Sequence, residues 1–220
     1  MQLLKALILK EFLLIGRTKN GILSTIVLML AFIFIFHYSL EKGFSLPLQL
    51  LIGLKWSTVF ILSFVFIGQS VWEERESGAH QINQLFVPGY LTFLIKSMVI
   101  CIGILFLEII MLFLFVIFFE SFSISAQGFL GHLTFLVPST LSLSFLGVAL
   151  SRISFSTRLK EIVLPMLLIP LSLPIFLVGM EAERKFFFTE QNTLNNFFLL
   201  CALSIFYGSI GSFLQELLPE

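Results

Sequence analysis

Apolar residues along this chain come in six long runs separated by short polar stretches, and no run alternates apolar and polar residues with the two-residue period of a half-buried strand. The runs cover residues 22–38, 50–72, 93–119, 128–150, 162–180 and 194–214. Crossing a bilayer core takes about 20 apolar residues in helical form, so each run meets or approaches the length of a transmembrane helix. The third is long enough to tilt or to extend beyond the hydrocarbon. The pattern predicts an all-α integral membrane protein of six transmembrane helices, forming one domain over residues 1–220. A β-barrel is excluded, because its strands would alternate over about ten residues each.

The segment before the first run has a different pattern. Leu3, Leu4, Leu7, Ile8, Phe12 and Ile15 recur at helical spacing among Lys5, Lys10, Glu11, Arg17 and Lys19. Residues 1–19 are therefore expected to form a helix lying in the membrane interface; the simpler reading is a basic flank that only sets topology. The first run is longer than the apolar core of a signal peptide, and no small-residue cleavage pattern precedes Glu41, so it is expected to remain in the mature protein.

Composition agrees with the runs: 58% of residues are hydrophobic, 12% are charged, and 28 of the 220 are Phe. Thirteen Lys and Arg balance thirteen acids, which leaves no basic field for nucleic acid. All the acids are Glu. Without Asp, the chain lacks the residue that most often holds nucleotide-bound magnesium or completes a hydrolase triad. Nine of the thirteen cations fall on the side of the N-terminus and of the loops after the second and fourth runs, and four on the other side. The positive-inside rule then places both termini in the cytoplasm. Trp56 and Trp72, separated by about 24 Å along a helix, read as anchors at the two interfaces of the second span. Cys101 and Cys201 lie inside apolar runs, far apart in sequence, and are expected to be buried reduced thiols.

Motifs for chemistry are absent. There is no phosphate-cradling G-K-[ST] loop, no G-x-G-x-x-G, no C-x-x-C-H for covalent haem and no H-E-x-x-H for zinc. The chain is therefore expected to bind no cofactor or metal of its own, and although an enzyme stays open on this reading, no residue is nominated for catalysis.

The most informative polar stretch lies between the second and third runs, over residues 73–92. Glu73, Glu74, Arg75 and Glu76 are followed by Gly78, then by Ile82, Leu85 and Phe86 at helix-compatible spacing, then by Pro88-Gly89. A short amphipathic helix here would suit docking to a partner's groove; the plainer reading is a solvated loop. The sequence Glu76-Ser77-Gly78, with Gln84-Leu85, Pro88 and Lys96, resembles the E-x-G…L…P…K stretch of permease subunits in type-2 ABC exporters. Lys10-Glu11-Phe12 before Arg17 resembles the interfacial helix of the same permeases. Within that group, the length, the six spans and the proline-rich stretch of residues 162–175, followed by Glu181-Ala182, resemble CcmB, haem exporter protein B of cytochrome c maturation.

The resemblance implies that residues 73–92 form the coupling loop, with Glu73, Glu74, Arg75, Glu76, Gly78, Gln84, Leu85 and Pro88 meeting a CcmA-like ATPase subunit. It further implies CcmC- and CcmD-like membrane subunits and a CcmE-like haem chaperone as partners, haem as the handled ligand and ATP in the partner subunit. A homodimer is a further possibility of the type-2 group. Two other readings remain: a type-2 permease exporting a drug, lipid or polysaccharide, and a membrane scaffold that only holds other subunits.

A few residues inside the spans invite a functional reading. Pro165, Pro170 and Pro174 each remove a backbone donor from the fifth span, which makes it either a hinge or cavity wall, or a static kink. Glu108, near the middle of the third span, must be protonated, paired or set in a polar cavity, since a bare charge there costs at least about 2.5 kcal/mol. Ser204, Gly208 and Ser212 form a small-residue stripe for close helix packing. Lys55 and Lys96 are expected to snorkel to the interface. His37 and His132 both fall at the outer face and are the only candidate haem ligands; an interfacial role without a ligand is the plainer reading.

Overall fold

In the structure, a computed structural model, the apolar runs form six helices: α1 (Lys19–Ser39), α2 (Leu48–Glu76), α3 (Gly89–Phe118), α4 (Ala126–Phe155), α5 (Lys160–Phe188) and α6 (Leu194–Leu217). It describes residues 7–11, 13, 19–40, 46–76, 88–122, 126–155, 160–188 and 193–217, excluding the side chains of 19–21, 71–76, 126–127, 155 and 160–162. All six helices are long and apolar enough to cross a membrane, and the described residues contain no strand. Residues 7–11 and 13 are also helical, with Leu7 and Glu11 buried and Leu9 and Leu13 exposed. The rest of the expected interfacial face, from Leu3 to Ile15, lies outside the described residues apart from the half-buried Ile8.

Successive helices run up and down. Thr25 near the start of α1 bonds Gln69 near the end of α2, and Gly89 at the start of α3 lies against the backbone of Gln215 at the end of α6. One end of the bundle, the N-terminal end, thus holds residues 19, 76, 89, 155, 160 and 217. The far end holds residues 39, 48, 118, 126, 188 and 194.

α4 is the centre of the bundle: 78% of its span is buried, against 17% for α1. Its sequence explains why. Lipid tails are as apolar as leucine, so helices in a membrane associate through close packing and hydrogen bonds, and small residues permit both. A Cβ at Gly147 of α4 would meet the Ile67 side chain at 2.7 Å, and one at Gly131 would meet Phe186 at 2.3 Å, so α2 and α5 approach α4 through these glycines. On the α6 side, Ser142 Oγ and Ser204 Oγ are 2.7 Å apart, and Ser204 donates to the Pro138 carbonyl at 3.0 Å. Gly208 continues this contact, because a Cβ there would lie 3.3 Å from the Phe145 ring. Ser212, one turn further, donates to the Gly208 carbonyl of its own helix.

Four helices, α2, α4, α5 and α6, end three or more residues past their expected boundaries, and the extensions of α2 and α5 carry the most charge. α2 continues through Glu73, Glu74, Arg75 and Glu76, which therefore form its last turn rather than the start of a loop. α5 continues to Phe188, eight residues beyond the expected boundary at Met180. This extra length is amphipathic: Glu181 and Lys185 pair at 3.0 Å on its exposed side, while Ala182 and Glu183 are buried.

Candidate functional site

Glu183 decides the chemistry of the far end. It lies on α5 with its side chain wholly buried, and it accepts hydrogen bonds from Lys55 and Trp56 of α2 and from His132 Nδ1 of α4. The Lys55 side chain has no exposure either, and its Nζ lies 3.5 Å from His132 Nδ1 and 4.9 Å from the Trp56 ring centroid. The four residues stand five to eight positions from the far ends of their helices, so the cluster lies about 8–12 Å below that end. A carboxylate there is tolerable because three donors surround it, one of them the Lys55 cation; any one charge alone would carry a large desolvation penalty.

Aromatic side chains enclose the cluster. The His132 ring lies 4.9 Å from Phe122 and 4.7 Å from Phe187, centroid to centroid. Trp56 meets Phe176 edge-on at 6.1 Å, and Phe176 meets Phe60 at 5.0 Å. The Trp56 ring also fills the space left by Gly179, where a Cβ would come within 2.4 Å of it. A side chain at 179 would therefore push α2 and α5 apart at the level of the cluster.

A second polar node lies deeper. Glu108 of α3 is buried, and Thr140 Oγ1 of α4 donates to both of its carboxyl oxygens, at 2.7 and 2.9 Å. Lys55 is close enough to Glu108 to interact with it electrostatically, so the two nodes share one cation. The four ionisable groups Lys55, Glu108, His132 and Glu183 thus come from four different helices.

Several sequence expectations change in this light. Lys55 does not snorkel; it is enclosed and paired with Glu183. Lys96, at 5% exposure in the second turn of α3, is buried too. Trp56 is no interfacial anchor, because its ring is 2% exposed and its Nε1–H is directed at Glu183. His132 is not turned outwards to a ligand: it is 3% exposed and its Nδ1 is bound to Glu183. His37 is exposed at the far end of α1, with its ring 5.4 Å from Phe118 and 6.1 Å from Phe119. The two histidines are not adjacent; Phe119, Phe115 and Phe122 form a chain of ring contacts between them.

Of the proline positions, Pro170 and Pro174 are exposed and Pro165 is half-buried, while α5 passes through all three as one helix. Pro170 and Pro174 have no N–H to give to the carbonyls of Met166 and Pro170. Nearby hydroxyls supplement the weakened ladder: Tyr207 of α6 donates to the Leu171 carbonyl at 2.8 Å, and Ser172 to that of Ile169 at 3.0 Å. Gly78, Gln84 and Leu85 lie outside the described residues, and Pro88 directly precedes α3. Cys101 is a buried free thiol and Cys201 a half-buried one.

The six-span bundle and the helical N-terminal segment fit many permeases. What decides among them is a family model, described as CcmB protein, that matches residues 2–216. The chain belongs to the CcmB family. As a CcmB protein it is a multi-pass transmembrane subunit, of permease type, of the cytochrome c maturation ABC complex, and it associates with other Ccm subunits. No curated protein matches the chain. The match takes in all four members of the buried charge cluster. Glu183 is the member that sequence reasoning missed. Its signal was present: Glu181 and Lys185 are spaced i, i+4 with Ala182 and Glu183 between them, as in an amphipathic helix end rather than a loop.

Proposed function

We propose that this CcmB protein converts ATP hydrolysis by a CcmA-like partner into movement of its spans, and that the movement serves haem handling: delivery of haem across the complex or release of a haem-loaded CcmE-like chaperone. The ATPase meets the N-terminal end of the bundle, which faces the cytoplasm of a bacterial inner membrane, with both chain termini on that side. With Lys55 and Lys96 counted as interior, the remaining Lys and Arg divide eight to three in favour of that end.

The observation that carries this reading is α2. It is an unbroken helix of 29 residues without proline, and it runs from the far-end cluster to the charged turn Glu73, Glu74, Arg75, Glu76. That turn opens the stretch that resembles a coupling loop, with Gly78, Gln84, Leu85 and Pro88 beyond it. A displacement applied there travels along a stiff rod about 30 Å long to Lys55 and Trp56. Two of the polar residues inside the bundle are held by others: His132 by Glu183, and Glu108 by Thr140. This arrangement suits a subunit that moves other components of the haem pathway rather than one that ligates haem through its own histidines. CcmC- and CcmD-like subunits, or a second copy of the chain, cover the apolar faces of α1, α5 and α6 that lipid does not.

Affinity purification of the tagged chain in mild detergent, followed by mass spectrometry, tests the assignment. An ABC ATPase and haem-handling membrane subunits should co-purify. Recovery of the chain without an ATPase would refute it.

A further inference from the structure

We infer that Lys55, Trp56 and Glu183 form a latch at the far end of the bundle, which closes α2 against the outer half of α5 in one nucleotide state of the complex and opens in another. The inference rests on the proposed coupling role of the loop after α2.

Three observations carry it. First, α2 is continuous between the charged turn at Glu73–Glu76 and the cluster, so the two ends move together. Second, α5 meets α2 beyond Pro174: Phe176, Gly179 and Glu183 contact Phe60, Trp56 and Lys55 there. Pro165, Pro170 and Pro174 weaken the ladder below that segment, which lets it swing as a unit. Third, the contact joins charge and aromatic packing rather than aliphatic packing. The attraction within a buried ion pair and the desolvation of its charges nearly cancel, so opening such a pair to water is far less costly than opening an equal aliphatic interface. A contact of this kind has two arrangements of similar free energy, as a switching element requires.

Phe122 and Phe187, packed on His132, lie over the closed latch and report its opening. The test uses the whole complex in membranes, with Cys101 and Cys201 replaced by serine and Phe122→Cys or Phe187→Cys introduced. A membrane-impermeant maleimide is added from the far side, without nucleotide and with ATP trapped by a hydrolysis-deficient ATPase subunit. The latch predicts labelling rates that differ at least tenfold between the two states for either cysteine. It also predicts that Lys55→Met with Glu183→Met removes the difference, because an apolar pair gains nothing from water. Equal rates in both states at both positions, in a complex that retains its ATPase, would overturn the latch and leave the coupling role standing. Failure of the ATPase to bind at all would overturn the coupling role and the latch with it.

Discussion

Lys55 and Glu183, 128 residues apart in sequence, form an ion pair in which neither side chain has any solvent exposure. The pair joins the second helix to the fifth, and its energetics give the first prediction. Removing one partner strands a buried charge, so Lys55→Met or Glu183→Met alone should destabilise the protein by about 3–5 kcal/mol. Removing both should restore most of that loss. Thermal unfolding of the purified chain in detergent measures it, and single variants as stable as the double variant would show that the pair is not formed.

Glu108 and Thr140 give the second. Thr140→Val keeps the shape of the side chain but takes away the hydroxyl that donates to both carboxyl oxygens, and leaving a buried acceptor unsatisfied costs about 1–3 kcal/mol. Glu108→Gln retains an oxygen to accept that bond and should change stability by less than about 1 kcal/mol. The same unfolding assay compares the two; a larger loss from Glu108→Gln than from Thr140→Val would mean that the charge itself, and not the hydrogen bond, holds the site.

Glycine substitutions provide a third prediction with its own internal control. A Cβ at Gly179 would come within 2.4 Å of Trp56 and one at Gly211 within 2.2 Å of Phe93, whereas Gly53 and Gly68 have open space around them. Gly179→Ala and Gly211→Ala should each destabilise by about 1–3 kcal/mol through overpacking. Gly53→Ala and Gly68→Ala should instead be neutral or stabilise by up to about 1 kcal/mol, through helix propensity. Indistinguishable effects at the four sites would contradict the packing described for α2, α3, α5 and α6.

The fourth concerns the contact of α4 with α6. Ser204→Ala gives up hydrogen bonds to Ser142 and to the Pro138 carbonyl, and such bonds between membrane helices contribute about 0.6 kcal/mol each on average. Ser204→Leu also blocks the close approach and should prevent stable assembly, read as loss of the monodisperse peak in size-exclusion chromatography. A Leu variant that elutes like the parent chain would remove α6 from its assigned place.

The sequence and the structure agree best where the argument is about length and hydrophobicity. Six runs of near-bilayer length can only become six helices, and their starts and ends move by five residues or fewer except at the end of α5, which moves by eight. The expectation fails where a polar side chain is involved. Lys55, Lys96 and Trp56 have the spacing of interfacial residues, and nothing local in the chain tells a snorkelling lysine from one paired with a carboxylate 128 residues later. Glu183 lies two residues past Glu181, the first charge after the apolar run, where hydrophobicity alone ends the span. The small stripe at Ser204 and Gly208 was legible, since small residues at helical spacing need no knowledge of the partner helix to mark a close contact. The resemblance to the CcmB family rested on the stretch around residues 73–92 and on the prolines of the fifth span, and the family match covers both.

The central claim is that the turn at the end of α2 and the loop beyond it transmit ATP hydrolysis to the bundle. Its most direct measurement is the ATPase rate of the purified complex beside cytochrome c maturation in cells, for the parent chain and for Glu76→Ala combined with Leu85→Ala. The account predicts that the variant still assembles in the membrane but loses its stimulation of ATPase activity, and that mature cytochrome c falls at least tenfold. Parental values in both assays, from a fully assembled variant, would contradict it.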